Sequence, residues 1–241
     1  MKDIDAIAAL QDPVRRRLYE YVAAQGREVG RNEAAEAAGV ARTLAAHHLD
    51  KLVEAGLLES GSRRLTGRSG PGAGRPAKVY TRARTERSVS LPARDYRTAA
   101  ELLAEAAEQA GLDAGLRAAA RRRGEALRGS AAPCAGLEEA MEVLAARGYE
   151  PHLEFAGGGR AGEGPEGEDG AATPVVRMRN CPFHAVAERF PPLVCGMNLA
   201  LLEGLLGADG TDGADGPVRA RMDARPGECC VVVEDSKNNI H

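Results

Sequence analysis

The sequence contains no tryptophan, and Phe, Trp and Tyr make up 3% of its 241 residues, so its cores must be built from Leu, Val and Ala. Lysine is scarce beside arginine, which fits a GC-rich coding bias better than any structural demand. No run approaches the roughly 20 apolar residues that span a bilayer. The stretch MKDIDAIAALQDPVRRR sets three Asp against one Lys in its first twelve residues, where a secretory signal would be basic, and no long apolar run follows it. A cytoplasmic protein without membrane contact is therefore expected. Paired C-x₂-C units are also missing. The cysteines are Cys134, Cys181, Cys195, Cys229 and Cys230, odd in number and with two adjacent. That pattern fits a secreted disulfide framework poorly, and metal or redox chemistry in a reducing compartment better.

The length allows two modest domains, each with its own core. The formal charge of −3 hides an asymmetry: residues 1–88 carry 16 Lys and Arg against 11 Asp and Glu, and the remainder 16 against 24. A basic N-terminal part on an acidic protein points to a polyanion met by that part alone.

Ile7, Leu10, Val14, Leu18 and Val22 recur at helical spacing over about Ile4–Ala24, and Asp12-Pro13 inside that stretch marks a helix start. Two short helical patterns follow, about Arg31–Ala38 and Arg42–Ala55, joined at Gly39-Val40. Two helices separated by so tight a turn are the helix-turn-helix signature. Leu58–Thr66 and Ala77–Arg82 read as a β-hairpin whose tip, Gly67–Pro76, holds four Gly and two Pro. Leu44, Leu49, Leu52 and Val53 are expected to face inward from the second helix. Arg42, Thr43, Ala46, His47 and Asp50 then project outward near its N-terminal half, the part that reaches base edges. Arginine can pair with guanine, while Thr and Ala can meet the thymine methyl. From the hairpin, Arg63, Arg64, Arg68, Arg75 and Lys78 would contact phosphate or the minor groove. A winged helix used only for protein contacts would not need so basic a hairpin.

From Asp95 to about Gly129 the pattern is again helical, broken at Gly111. Tyr96, Ala99, Leu102, Leu103, Ala106 and Ala110 form a stripe suited to packing against a second copy, or to an ordinary core. Beyond Cys134, helices are expected at Leu137–Ala146, Phe183–Arg189 and Leu193–Leu206, and strands at Glu150–Ala156, Val175–Met178, Val218–Asp223 and Cys229–Glu234. Gly157–Ala172 is expected to be a disordered loop, and Gly207–Gly216 a second Gly/Asp loop. The fold class is thus α+β: a winged helix-turn-helix over residues 1–88, a helical dimerisation linker over 89–130, and an α+β sensor domain over 131–241.

Cys181 and His184 are three apart, so one helical turn can aim both at one point. Cys195 and the Cys229-Cys230 pair lie far along the chain, a spacing that fits a site assembled from three elements. Buried free cysteines are often only small hydrophobes. Cys134, in a loop of small residues, is read that way.

DPVRRRLYEYV, AAEAAGVARTLAAHHLDKLVEAGLLE and GRPAKVY, in that order over about residues 8–83, resemble the winged-helix domain of ArsR-type regulators. NCPFH, LVC…LLEGLL and PGECCV, over residues 174–233, resemble the Suf-operon repressor group and its actinobacterial relatives. That resemblance implies an iron–sulfur cluster, 4Fe–4S or 2Fe–2S, on Cys181, Cys195 and one of Cys229 and Cys230. Four-cysteine members carry another Cys in the stretch occupied here by Arg219–Asp223. The fourth ligand therefore stays open between His184, the other cysteine of the pair, a low-molecular thiol and an open iron site.

The function expected from the sequence is a homodimeric repressor that binds a pseudo-palindromic double-stranded operator and senses iron–sulfur status or oxidative or nitrosative stress. The alternatives are a zinc-stapled regulator with a small apolar ligand beside Met197–Leu206 and, remotely, an enzyme using Cys181 and His184.

Overall fold

The computed structural model describes residues 2–63, 76–156, 173–208 and 216–236. Arg64, Arg68 and Arg75, the loop expected over Gly157–Ala172, and most of the Gly67–Pro76 tip and of Gly207–Gly216 lie outside the described residues. The chain forms two compact units, Met1–Arg94 and Asp95–His241.

The first unit runs α1 (Lys2–Ala9), α2 (Pro13–Gln25), β1 (Val29–Gly30), α3 (Arg31–Ala38), α4 (Arg42–Glu54), β2 (Leu58–Arg63) and β3 (Ala77–Arg82). The single helix expected over Ile4–Ala24 is two. Asp12 is extended, and its carboxylate accepts from the backbone N–H groups of Val14 and Arg15 at 2.9 and 3.0 Å, so α2 starts afresh at Pro13. Gly39 ends α3 at φ 64°, where any side chain would be strained, and this allows the short turn into α4. The strands pair antiparallel in the order β1-β3-β2, with Leu58 opposite Arg82 and Arg63 opposite Ala77.

Leu18, Val22, Val29, Ala34, Ala45, Leu49, Leu52, Leu58 and Tyr80 form the core of this unit. Leu44 departs from expectation: it is 42% exposed, and Ala45 takes the inward place. The reason is helical phase. Ala45, Leu49 and Leu52 follow the i, i+4, i+7 spacing of one face, and Leu44 is five residues before Leu49, some 140° round the helix.

The second unit runs α5 (Tyr96–Gln109), α6 (Asp113–Arg128), α7 (Leu137–Ala145), β4 (Pro151–Ala156), β5 (Thr173–Met178), α8 (His184–Ala187), α9 (Pro191–Leu206), β6 (Val218–Met222) and β7 (Val231–Asp235). Its sheet is antiparallel in the order β4-β5-β7-β6. The helices expected to form a separate linker belong to this unit. α9 is apolar almost all round, as a buried helix should be, and α6 packs directly along it. Backbones meet at Gly124 and Gly204: a Cβ on Gly124 would stand 2.1 Å from the Leu201 carbonyl oxygen, and one on Gly204 would stand 2.3 Å from that of Arg121. Beside this crossing, the Arg121 guanidinium pairs with the buried Glu203 carboxylate.

Gly124→Ala should therefore cost about 3 kcal/mol in urea unfolding, because the obstruction is backbone and cannot rotate away. Gly115→Ala in the same helix meets nothing within 4 Å and should stabilise by about 0.5–1 kcal/mol through helix propensity. Equal effects at the two sites would contradict the close crossing.

Candidate functional site

α4 presents the outward residues of the first unit. Arg42, Thr43, Leu44 and His47 are exposed, whereas Ala46 and Asp50 are half-buried. A groove of about 940 Å³ runs between the starts of α3 and α4 and the β2–β3 hairpin, and Arg27, Arg31, Arg42, Arg63 and Lys78 are among the residues lining it. Cations around a groove of this size suit a phosphate backbone. Arg63 also lies 3.5 Å from Glu28.

Asp50, expected to face DNA, is instead turned inward to its own domain. Its Oδ1 accepts from Lys78 Nζ at 2.7 Å and from the Tyr80 hydroxyl at 2.8 Å, and Arg31 lies 3.4 Å from its other oxygen. Arg31 Nε in turn donates to the Tyr80 hydroxyl at 2.9 Å. Burial works against the Asp50 charge, but the hydrogen bonds from Lys78 and Tyr80 hold its carboxyl below the ordinary value. Burial, first, and the Asp50 contact push the Tyr80 phenol up to about 12. Asp50 and Lys78 therefore tie the recognition helix to the wing strand.

Because its folded pKa is depressed, Asp50 stabilises the unit above the unfolded carboxylate value of about 3.9. That contribution is lost as pH falls through the lower folded value. The pair is partly exposed, so it contributes under about 1 kcal/mol. Asp50→Ala should free Lys78 and Arg31, steepening the salt dependence of DNA binding by about one to two phosphate contacts. Fluorescence anisotropy across a salt series measures this, and an unchanged slope would contradict it.

In the second unit, four cysteines separated by up to 49 positions come together. Cys181 follows the end of β5, Cys195 lies in the second turn of α9, and Cys229 and Cys230 precede β7. The vicinal pair was expected inside the last strand, but two backbone bonds hold it in the approach to β7. Cys229 N–H donates to the Met178 carbonyl at 2.9 Å, and Asp223 N–H donates to the Cys230 carbonyl at 2.8 Å. The first of these sets Cys229 beside the chain leaving β5, hence beside Cys181.

Cys181 and Cys230 each make an S–H···S contact with Cys229, and Cys230 also reaches Cys195. Hydrogen bonds from Cys181 and then Cys230, with the Val231 N–H and the Asn198 amide, lower the Cys229 pKa against the effect of burial. The Cys181 and Cys230 thiols are correspondingly raised, in each case first by the hydrogen bond to Cys229. The Cys181 sulfur also receives the Phe183 N–H. Behind the thiols, Tyr149 donates to Asn198 Oδ1 at 2.6 Å and Asn198 Nδ2 donates to Cys229 Sγ at 3.4 Å, both residues being buried.

The turn that carries Cys229 and Cys230 is anchored by charge. The buried Arg177 lies 2.7 Å from Glu154, 2.6 Å from Asp223 and 3.7 Å from Glu228, while Arg225 reaches both oxygens of Glu154 at 2.8 Å. His152 sits 3.5 Å from Glu228, and burial, above all, lowers its pKa.

His184 does not join the thiols: its imidazole is exposed and pairs along its own helix with Glu188 at 3.3 Å. Cys134 is buried in the core, with its thiol pKa raised by burial and its N–H bonded to the Leu206 carbonyl. Arg221, in the stretch where a further cysteine would stand, pairs with Glu234 at 2.7 Å. Sequence reasoning missed Tyr149, His152, Arg177 and Asn198. A signal existed only for Asn198, an amide inside an apolar helix one turn after Cys195.

Four thiols from three elements, with N–H groups aimed at two of the sulfurs, are donor types that iron–sulfur centres use. Among the described residues, no three His, Cys, Asp or Glu side chains form a group able to hold a metal ion. The thiols meet in pairs, Cys181 with Cys229, Cys229 with Cys230 and Cys230 with Cys195.

No helix among the described residues is long and apolar enough to cross a membrane. No curated protein and no solved structure matches the chain. Residues 10–61, from the end of α1 into β2, match a helix-turn-helix domain family, and this match with the exposed face of α4 supports a DNA-binding transcriptional regulator.

Proposed function

We propose that the chain is a homodimeric repressor that holds an iron–sulfur cluster on Cys181, Cys195, Cys229 and Cys230 and couples the state of that cluster to operator binding. The observation that carries this reading is the chain of thiol contacts from Cys181 to Cys229, Cys229 to Cys230 and Cys230 to Cys195, delivered by three separate elements. Both members of the vicinal pair serve, which supplies the fourth ligand without His184. When bound, the cluster supplies redox chemistry and a centre open to attack by oxygen or nitric oxide.

The protein's own part is to hold and tune. Cys229 carries the first thiolate, the Phe183 and Val231 amides and Asn198 donate to sulfur, and Arg177 fixes the turn bearing Cys229 and Cys230.

The signal reaches the dimer through α5. Its inner residues Ala104 and Ala107 pack with Phe183, Leu193 and Val194, next in sequence to the thiol-bearing positions. Its outer residues Tyr96, Leu102 and Leu103 are 62–74% exposed, an apolar face suited to a second copy. A shift at the thiols would thus move the helix that sets the distance between two recognition helices.

The test is the ultraviolet–visible spectrum and operator binding of anaerobically prepared protein. Brown protein with absorbance near about 400 nm, from sulfur-to-iron charge transfer, and operator affinity that changes on its loss is the expected result. Colourless protein with stoichiometric zinc would overturn the reading.

A further inference from the structure

α4 exposes six residues: Arg42, Thr43, Leu44, His47, Lys51 and Glu54. Two have their charges committed to each other, Lys51 to Glu54 at 2.7 Å. Arg42, Thr43, Leu44 and His47 remain, all in the N-terminal half of the helix. That is the portion of a recognition helix that enters the major groove. His47 stacks edge-on with His48, ring centroids 5.4 Å apart, which sets its ring to one side.

Leu44 stands out chemically. It is a branched apolar side chain, 42% exposed, two residues after Arg42, which lines the groove. The core gains nothing from it, because Ala45 fills the inward position completely. The apolar feature that the major groove offers is the C5-methyl group of thymine.

We propose that Leu44 reads a thymine methyl in each operator half-site and is a specificity-determining residue of this regulator. The proposal rests on the DNA-binding reading of the first unit and is independent of the cluster. Leucine's two methyls close over the thymine methyl and exclude water from both, an interaction that cytosine, with hydrogen at C5, cannot offer. Discrimination then comes from buried apolar area rather than from hydrogen bonds, and it acts beside whatever Arg42 contributes at guanine.

The experiment starts by selecting an operator from a random duplex library with the full chain. Each thymine of the half-site is then replaced by deoxyuridine, which removes the methyl and leaves every hydrogen-bonding group in place. For the wild type, one position per half-site should lose roughly fourfold in affinity, and the symmetric double replacement roughly fifteenfold, as expected for burying about one methyl each. Leu44→Ala should bind the thymine operator more weakly and show no further loss with deoxyuridine. Leu44→Met, which keeps an apolar contact, should retain most of the methyl sensitivity. Since Leu44 lies outside the core, both variants should unfold at the wild-type temperature.

A selected operator without a methyl-sensitive thymine, or equal deoxyuridine losses in the wild type and Leu44→Ala, overturns the role of Leu44 while DNA binding stands. Failure of the wild type to enrich any duplex overturns both.

Discussion

Cys229→Ser should abolish cluster binding outright: after anaerobic reconstitution the protein should show no visible absorption, and iron and sulfide should fall to background. The size of the effect follows from position. Cys229 is in contact with both Cys181 and Cys230 and receives the Asn198 amide. Thiolate is the form that binds iron, so serine there removes a thiolate ligand together with the sulfur that both neighbours share. Cys134→Ser is the control, since Cys134 packs in the core away from the other thiols. It should keep its colour and lose only a little stability. Retention of full absorption in Cys229→Ser would remove that residue from the site. Asn198→Ala separates holding from tuning: it should still load iron, but with a shifted reduction potential, because one hydrogen bond to sulfur is gone.

A second large effect is expected at α5. Replacing Leu102 and Leu103 together by glutamate should convert the dimer to monomer in light scattering. Operator affinity should fall by a factor of about 10² or more, because two half-sites are no longer bound as one unit. Binding of a single half-site should change little. These leucines are 62% and 72% exposed in the single chain and do not contribute to its core, so the monomer should keep its unfolding temperature. A variant that remains dimeric would place the interface elsewhere. Under the proposed coupling through this helix, the wild-type operator affinities with and without cluster should differ by about 5- to 150-fold, the usual range for linked sites.

Much of the architecture was legible because local rules and tertiary packing agree. Asp12-Pro13 caps a helix by its own chemistry, and Gly39 makes a turn open to few other residues. Periodicity placed the two helices of the DNA-reading motif to within one residue. Where reading failed, a long-range partner had decided the matter. Leu44 was assigned inward on hydrophobicity alone, although helical phase gives the place to the smaller Ala45. Asp50 looks like a surface residue until β3 brings Lys78 and Tyr80 to it from 28 and 30 positions away. Helices α5 and α6 resembled a linker because the sequence cannot show that Gly124 meets Gly204 across 80 residues.

The thiol site was legible in its members and not in its geometry. Spacing suggested three elements, and the chemistry of cysteine suggested metal, but the fourth position stayed open between His184, the other cysteine of the pair, a low-molecular thiol and an open site. The spacing could not show that the bond from Cys229 N–H to Met178 brings the vicinal pair beside Cys181, or that His184 pairs with Glu188. The charged anchor around Arg177 had no signature at all, since its carboxylates come from β4, the turn after β6 and the approach to β7.

Iron and acid-labile sulfide analysis with Mössbauer spectroscopy on the anaerobic wild-type protein tests the heart of this account most directly. Iron and sulfide present together, with spectra of thiolate-ligated iron that vanish in Cys229→Ser, is the result expected. Protein that holds no iron under those conditions, or that holds one zinc ion on the same cysteines, would contradict it and leave a DNA-binding regulator with a different signal.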